Sequence, residues 1–115
     1  MNILIIENSK TLSQLLFKTL NSYGYSVSVD DKNFSSQNLI KSKIFDVCIM
    51  NTNLGDTLSK KILKYIVDMS TNTKILGICN RGSWVEKVEF LKRGGDDVLT
   101  YPFPIQELLA RIQSL

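Results

Sequence analysis

The sequence has no histidine, and only two cysteines, two prolines and one tryptophan among its 115 residues. Without histidine, the usual general base and the commonest metal ligand are missing. Cys48 and Cys79 both sit in apolar runs and form no CxxC or zinc-binding pattern, so they read as two buried thiols. Long apolar runs are missing as well. The longest charge-free stretch, Thr19 to Val29, has 11 residues and is half polar, whereas a membrane span needs about 20 apolar residues. Ile3-Leu4-Ile5-Ile6 has no basic flank before it and runs straight into Glu7, unlike a secretory leader. A cytoplasmic protein is expected. Charge of one sign is not in large excess either, with 14 basic and 11 acidic residues. The surplus lies in residues 58–115, with nine basic and six acidic, too few and too mixed for a nucleic-acid surface.

What is present is an ordinary globular composition, 43% hydrophobic and 22% charged, at a length that suits one domain over residues 1–115. Short apolar runs alternate with helical periodicity. Residues 2–6 form a continuous apolar run, the mark of a strand covered on both faces. Ser9 suits an N-cap. Leu12, Leu15, Leu16, Leu20 and Tyr23 follow at helical spacing, and Gly24 is a stop. Tyr25, Val27 and Val29 alternate as a strand, and a weak, polar helix is expected over 34–42. Phe45 to Met50 is a second apolar strand. A helix over about 57–69 carries Leu58, Ile62, Leu63, Ile66 and Met69 on one stripe. Lys74 to Cys79 reads as a strand, 83–93 as a helix ending at Gly94-Gly95, and Val98 to Thr100 as a short strand. The last helix begins near Pro102 and Pro104, with Ile105, Leu108, Leu109, Ile112 and Leu115 as its stripe. The pattern is (βα)5, an α/β chain whose right-handed crossovers give a doubly wound parallel sheet. Chemistry in such sheets gathers at the carboxyl ends of the strands. The residues there are Glu7, Asn8, Ser9, Asn51, Cys79, Asn80 and Tyr101.

Several stretches together resemble a response-regulator receiver domain over the whole length. They are Ile3 to Glu7, Gly24-Tyr25, Phe45 to Met50 with Leu54 and Asp56, Gly94 to Phe103, and Glu107 to Ile112. The closing stretch is similar to the OmpR/PhoB subfamily of transcriptional regulators. The resemblance implies the flavodoxin-like (CheY-like) fold with strand order 2-1-3-4-5. It also implies a chemistry that these residues do not carry. The family's phosphoacceptor aspartate falls on Asn51, and an amide has no carboxylate oxygen to form an acyl phosphate. The metal-site positions fall on Glu7, Asn8 and Ser9, where Glu7 alone is charged, and Mg²⁺ favours carboxylates. The family's lysine falls on Tyr101, and its switch residues on Cys79 and Val98. The usual proline and glycine of the loop after the phosphosite fall on Gly55 and Ser59. The expectation is a domain that neither receives nor hydrolyses phosphate, with no catalytic residues, no metal and no cofactor.

The resemblance implies a second surface, formed by the helix near 83–93, the strand at 98–100 and the last helix. Activated members of the subfamily dimerise there through cross-subunit ion pairs. Lys87 with Glu107 and Asp97 with Arg111 match those positions, and Val88, Leu91 and Leu109 would supply the apolar centre. A two-fold contact uses one patch twice. These residue types also occur on any exposed helix, where ion pairs contribute about 0–1 kcal/mol each. The expected function is a phosphorylation-independent homodimerisation module, with DNA bound only through a domain beyond these residues. Alternatives are a stand-alone protein-interaction adaptor, or a small-ligand sensor using a pocket bounded by Asn8, Asn51, Cys79 and Tyr101. Trp84 reads as packed at a core edge. Lys60, Lys61 and Lys64 read as a solvated face. Gly94-Gly95-Asp96-Asp97 reads as a helix end followed by a strand start rather than a cyclase signature.

Overall fold

Strands that are apolar at every position need cover on both faces, and the arrangement supplies it. The computed structural model describes residues 1–31, 40, 44–55, 57–69 and 72–115. Five parallel strands, β1 (Asn2–Ile6), β2 (Ser26–Asp30), β3 (Val47–Asn51), β4 (Lys74–Asn80) and β5 (Asp97–Tyr101), form one sheet in the order β2-β1-β3-β4-β5. The described helices are α1 (Lys10–Ser22), α2 (Leu58–Met69), α3 (Trp84–Lys92) and α4 (Ile105–Ser114). The helix expected over 34–42 lies outside the described residues, apart from Ile40.

The period of two along each strand splits the core into two layers. Ile3, Ile5, Val47, Ile49, Leu76, Ile78 and Leu99 face α1 and α4, meeting Leu16, Leu20, Leu108 and Ile112. Leu4, Ile6, Cys48, Met50, Ile75, Cys79 and Val98 face the other way, meeting Ile62, Leu63 and Ile66 of α2 and Phe90 of α3. Gly77 of β4 and Gly95 leave the room in which the Phe90 ring lies.

Ser9 caps α1 as expected, its hydroxyl accepting from the Leu12 N–H at 3.3 Å. Gly24 ends that helix region at φ +90°, a conformation only glycine adopts without cost. Some stripe assignments need correction. Leu15, Tyr23 and Met69 are exposed, because a helix on a flat sheet buries a narrower arc than their spacing offers. In α1 the buried face instead includes Ser13. Val29 is exposed because β2 is the sheet edge, and there Val29 looks into an open groove beside Lys10, Ser13, Gln14 and Phe17 of α1. Trp84, expected at a core edge, is 70% exposed. It opens α3 on the side turned away from the sheet, where the described residues place no layer to receive it.

Candidate functional site

Parallel pairing brings the carboxyl ends of β1, β3, β4 and β5 to one side. Ile6 lies opposite Met50, Asn51 opposite Ile78, and Asn80 opposite Tyr101. Glu7, one residue past β1, is therefore beside Asn51 at the end of β3. Glu7 is only 3% exposed. The Asn51 Nδ2 donates to Glu7 Oε1 at 2.9 Å and to Oε2 at 3.4 Å, and the Ser9 N–H donates to Oε2 at 3.3 Å. The Asn53 N–H donates to Asn51 Oδ1 at 2.8 Å. These neighbours fix the amide orientation: its oxygen must face the Asn53 N–H and its nitrogen the carboxylate.

Glu7, Ser9, Asn51 and Tyr101 line one cleft of about 210 Å³, joined by Thr11, Leu12, Ile78 and Asn80. Tyr101 is half exposed, with its ring held edge-on to Phe103 at a centroid separation of 6.0 Å. The pocket expected from the sequence was bounded differently. Cys79 does not reach the cleft. It is buried in the opposite layer, its sulfur 3.7 Å from Thr100 Oγ1, because neighbouring strand residues point to opposite faces. Asn8 is exposed outside the cleft and donates to the Leu54 carbonyl at 3.5 Å. Val98 is core.

Sequence reasoning gave Ser59 no role beyond the glycine it replaces. The buried Ser59 hydroxyl donates to the Asn51 carbonyl at 3.3 Å and accepts from the Leu54 N–H at 2.6 Å, tying the loop after β3 to the first turn of α2. Nothing in the local sequence signals that contact, since a serine at a helix start is ordinary. Thr52 carries the connection further: its hydroxyl donates to Glu86 Oε2 of α3 at 3.3 Å.

The second expected surface is assembled by α3, β5 and α4. Val88 and Leu91 are exposed on α3, and Leu109 is half-buried against the inner layer. The charges pair within the chain. Arg111 donates from Nη1 to both Asp97 carboxylate oxygens at 3.0 and 3.1 Å, and from Nε to Glu107 Oε2 at 2.9 Å. The hydrogen bonds that Arg111 donates to Glu107 and then to Asp97 raise its pKa further above its already high value. Asp97 and Arg111, expected to meet across subunits, thus already meet inside one, because the first residue of β5 lies beside the second turn of α4. Among the described residues, Lys87 forms no ion pair.

The profile of the response regulator receiver domain matches residues 3–113. The chain belongs to the response regulator receiver domain family. It is 29% identical over all 115 residues to the transcriptional regulatory protein PhoP of Escherichia coli strain K12, covering 52% of that protein. It is 30% identical to the transcriptional regulatory protein CusR of the same strain, covering 51% of it. The chain thus spans about half the length of the curated relatives it matches. The receiver domain protein from Clostridium thermocellum superposes with a TM-score of 0.88 at 19% identity, covering 98% of this chain and 91% of that one, a likeness of fold. No helix among the described residues is long and apolar enough to cross a membrane.

The receiver resemblance implies a divalent cation beside Glu7, and the donor set does not fit one. Glu7 is the one carboxylate lining the cleft, and the Asn51 nitrogen facing it is a donor that cannot ligate a metal. Hard divalent cations need several oxygen ligands, usually with at least one or two carboxylates. Among the described residues no three Asp, Glu, His or Cys side chains converge.

Proposed function

We propose that this receiver domain acts without phosphorylation, as a homodimerisation module of a transcriptional regulator, and is not an enzyme. The observation that carries the reading is the hydrogen bond from Asn51 Nδ2 to Glu7 at 2.9 Å. At the position where the family resemblance expects a carboxylate nucleophile, a neutral amide satisfies the buried acid. The site then needs neither metal nor phosphoryl group to hold one arrangement. A domain with no phosphorylation-dependent second state has its population set by its own sequence.

Two further features support the dimer. Val88 and Leu91 expose apolar surface on α3, and Lys87, which forms no ion pair among the described residues, would face Glu107 of a second copy in a two-fold contact. In such a contact Lys87 adds a cross-subunit partner to the Arg111–Glu107 network, twice. The chain's coverage of about half of PhoP and CusR, both transcriptional regulatory proteins, supports placing DNA recognition outside residues 1–115.

Sedimentation equilibrium tests this without a phosphodonor, then with Mg²⁺ and beryllofluoride. The expected result is one dimer in both conditions. Lys87→Glu should give a monomer with an unchanged fold, and adding Glu107→Lys should restore the dimer. A monomer that beryllofluoride converts into a dimer would overturn the reading. A second reading, a protein-interaction adaptor, is favoured by one observation, the exposure of Trp84 and Val85 on α3. A monomer in every condition would move the assignment there.

A further inference from the structure

The cleft at the strand ends has a definite sign. Of its eight lining residues, Glu7 alone carries charge. That carboxylate is 3% exposed and forms no ion pair among the described residues. Its one short hydrogen bond comes from a neutral amide, and the backbone N–H of Ser9 adds a longer one at 3.3 Å. A buried carboxylate with such partners retains an attraction for positive charge, because neutral donors offset its desolvation only in part. No lysine or arginine lines the cleft, so an anion would meet no cationic side chain there.

The rest of the lining selects among cations. A divalent metal lacks ligands here, as argued above. An organic ammonium has different needs: one carboxylate, a few neutral acceptors and an aromatic face. Ser9, Thr11 and Asn80, all neutral and polar, line the same cleft, and Tyr101 adds an aromatic residue. Its edge contact with Phe103 holds that ring in place at the rim. A volume of about 210 Å³ accommodates a head group with a short chain.

We propose that this cleft binds a small organic ammonium group, a primary or methylated amine, with Glu7 as its anchor and the Tyr101 ring as its wall. The site stands on the cleft alone and not on the dimer, so it survives or fails independently of the sedimentation result. Occupancy would bear on the loop after β3, because Asn51 shares the Glu7 carboxylate with the ligand and Ser59 holds the Asn51 carbonyl.

The test is an NMR titration of the ¹⁵N-labelled protein with n-butylammonium chloride, against sodium chloride at equal ionic strength. Saturable shifts are expected at the Asn51 side-chain amide and the Ser9 N–H. The apparent affinity should fall at least about tenfold in Glu7→Gln and in Tyr101→Lys. Unchanged β-sheet resonances show that each variant is folded, and Tyr101→Lys changes a half-exposed side chain, so it remains informative if Glu7→Gln is not. Shifts that sodium chloride reproduces, or that persist in Tyr101→Lys, would overturn the proposal. So would tighter binding of Mg²⁺ or inorganic phosphate at the same resonances.

Discussion

At Asn51 a single nitrogen decides the sign of the interaction at the centre of the site. As an amide it donates to Glu7. As a carboxylate it would repel Glu7, and two unit charges about 4 Å apart interact by roughly 4 kcal/mol at an effective dielectric of 20. Relaxation and water will absorb part of that. Asn51→Asp is therefore expected to destabilise the fold by about 2 kcal/mol at neutral pH. The pair would share a proton, which raises one folded-state pKa above its unfolded value near 4, so the loss should grow as pH rises from about 4 to 7. Urea midpoints across that range check this, and a pH-independent midpoint equal to that of the parent would refute it. Cys48 has the same sign for another reason. Burial, and secondarily the charge of Asp30, push its thiol pKa far above the ordinary 9.0. The folded state keeps the proton that the unfolded chain releases. The stability held by the neutral thiol is complete below pH 9 and is lost above it, by about 1.4 kcal/mol per pH unit. Cys48→Ala should remove that share of the alkaline slope, read as the difference between the two proteins.

At the scale of elements, α3 is held to the sheet mainly through one ring. A methyl group on Gly77 would stand 2.8 Å from Phe90 Cε2 and 2.9 Å from Thr52 Cγ2, closer than packed carbons allow. Gly77→Ala should cost about 1–3 kcal/mol, and Phe90→Leu in the same background should return part of it, a coupling that a double-mutant cycle measures. Additive effects would mean that Phe90 is not what the methyl group meets. The Gly94–Asp97 stretch shows how four adjacent residues serve different elements. Gly94 at φ +111° ends the α3 region, and Gly95 lies under Phe90. Asp96 accepts the Ile75 N–H at 2.7 Å at the start of β4, and Asp97 pairs with Arg111 on α4.

For the whole molecule, the exposed apolar stripe on α3 is the feature that asks for a partner. Trp84, Val88 and Leu91 recur at helical spacing on one side and are 70%, 38% and 44% exposed. A two-fold contact centred on Val88 and Leu91 would cover Trp84, one turn away. Because Trp84 is the only tryptophan, its emission would report such a contact. A blue shift and loss of acrylamide quenching should follow protein concentration, in step with sedimentation, and vanish in Lys87→Glu. Emission that ignores concentration while the protein dimerises would put the dimer elsewhere.

The sequence by itself determined the alternation of strands and helices, the doubly covered strands, the Ser9 cap and the identity of the residues at the strand ends. Each of these follows from local pattern: period, cap chemistry and apolar runs. It also placed Glu7 and Asn51 on the same side of the sheet, because parallel strands aim their carboxyl ends alike. Only the tertiary structure decided which of those residues meet. It joined Asn51 to Glu7, hung Ser59 beneath the Asn51 carbonyl, turned Cys79 into the opposite layer and left Trp84 in the open. It also closed Arg111 on Asp97 and Glu107 of its own chain, where local sequence could say only that the charges were complementary. Local sequence carries period and propensity. It does not carry the distance between side chains brought together from residues 7, 51 and 101, which register and helix packing fix.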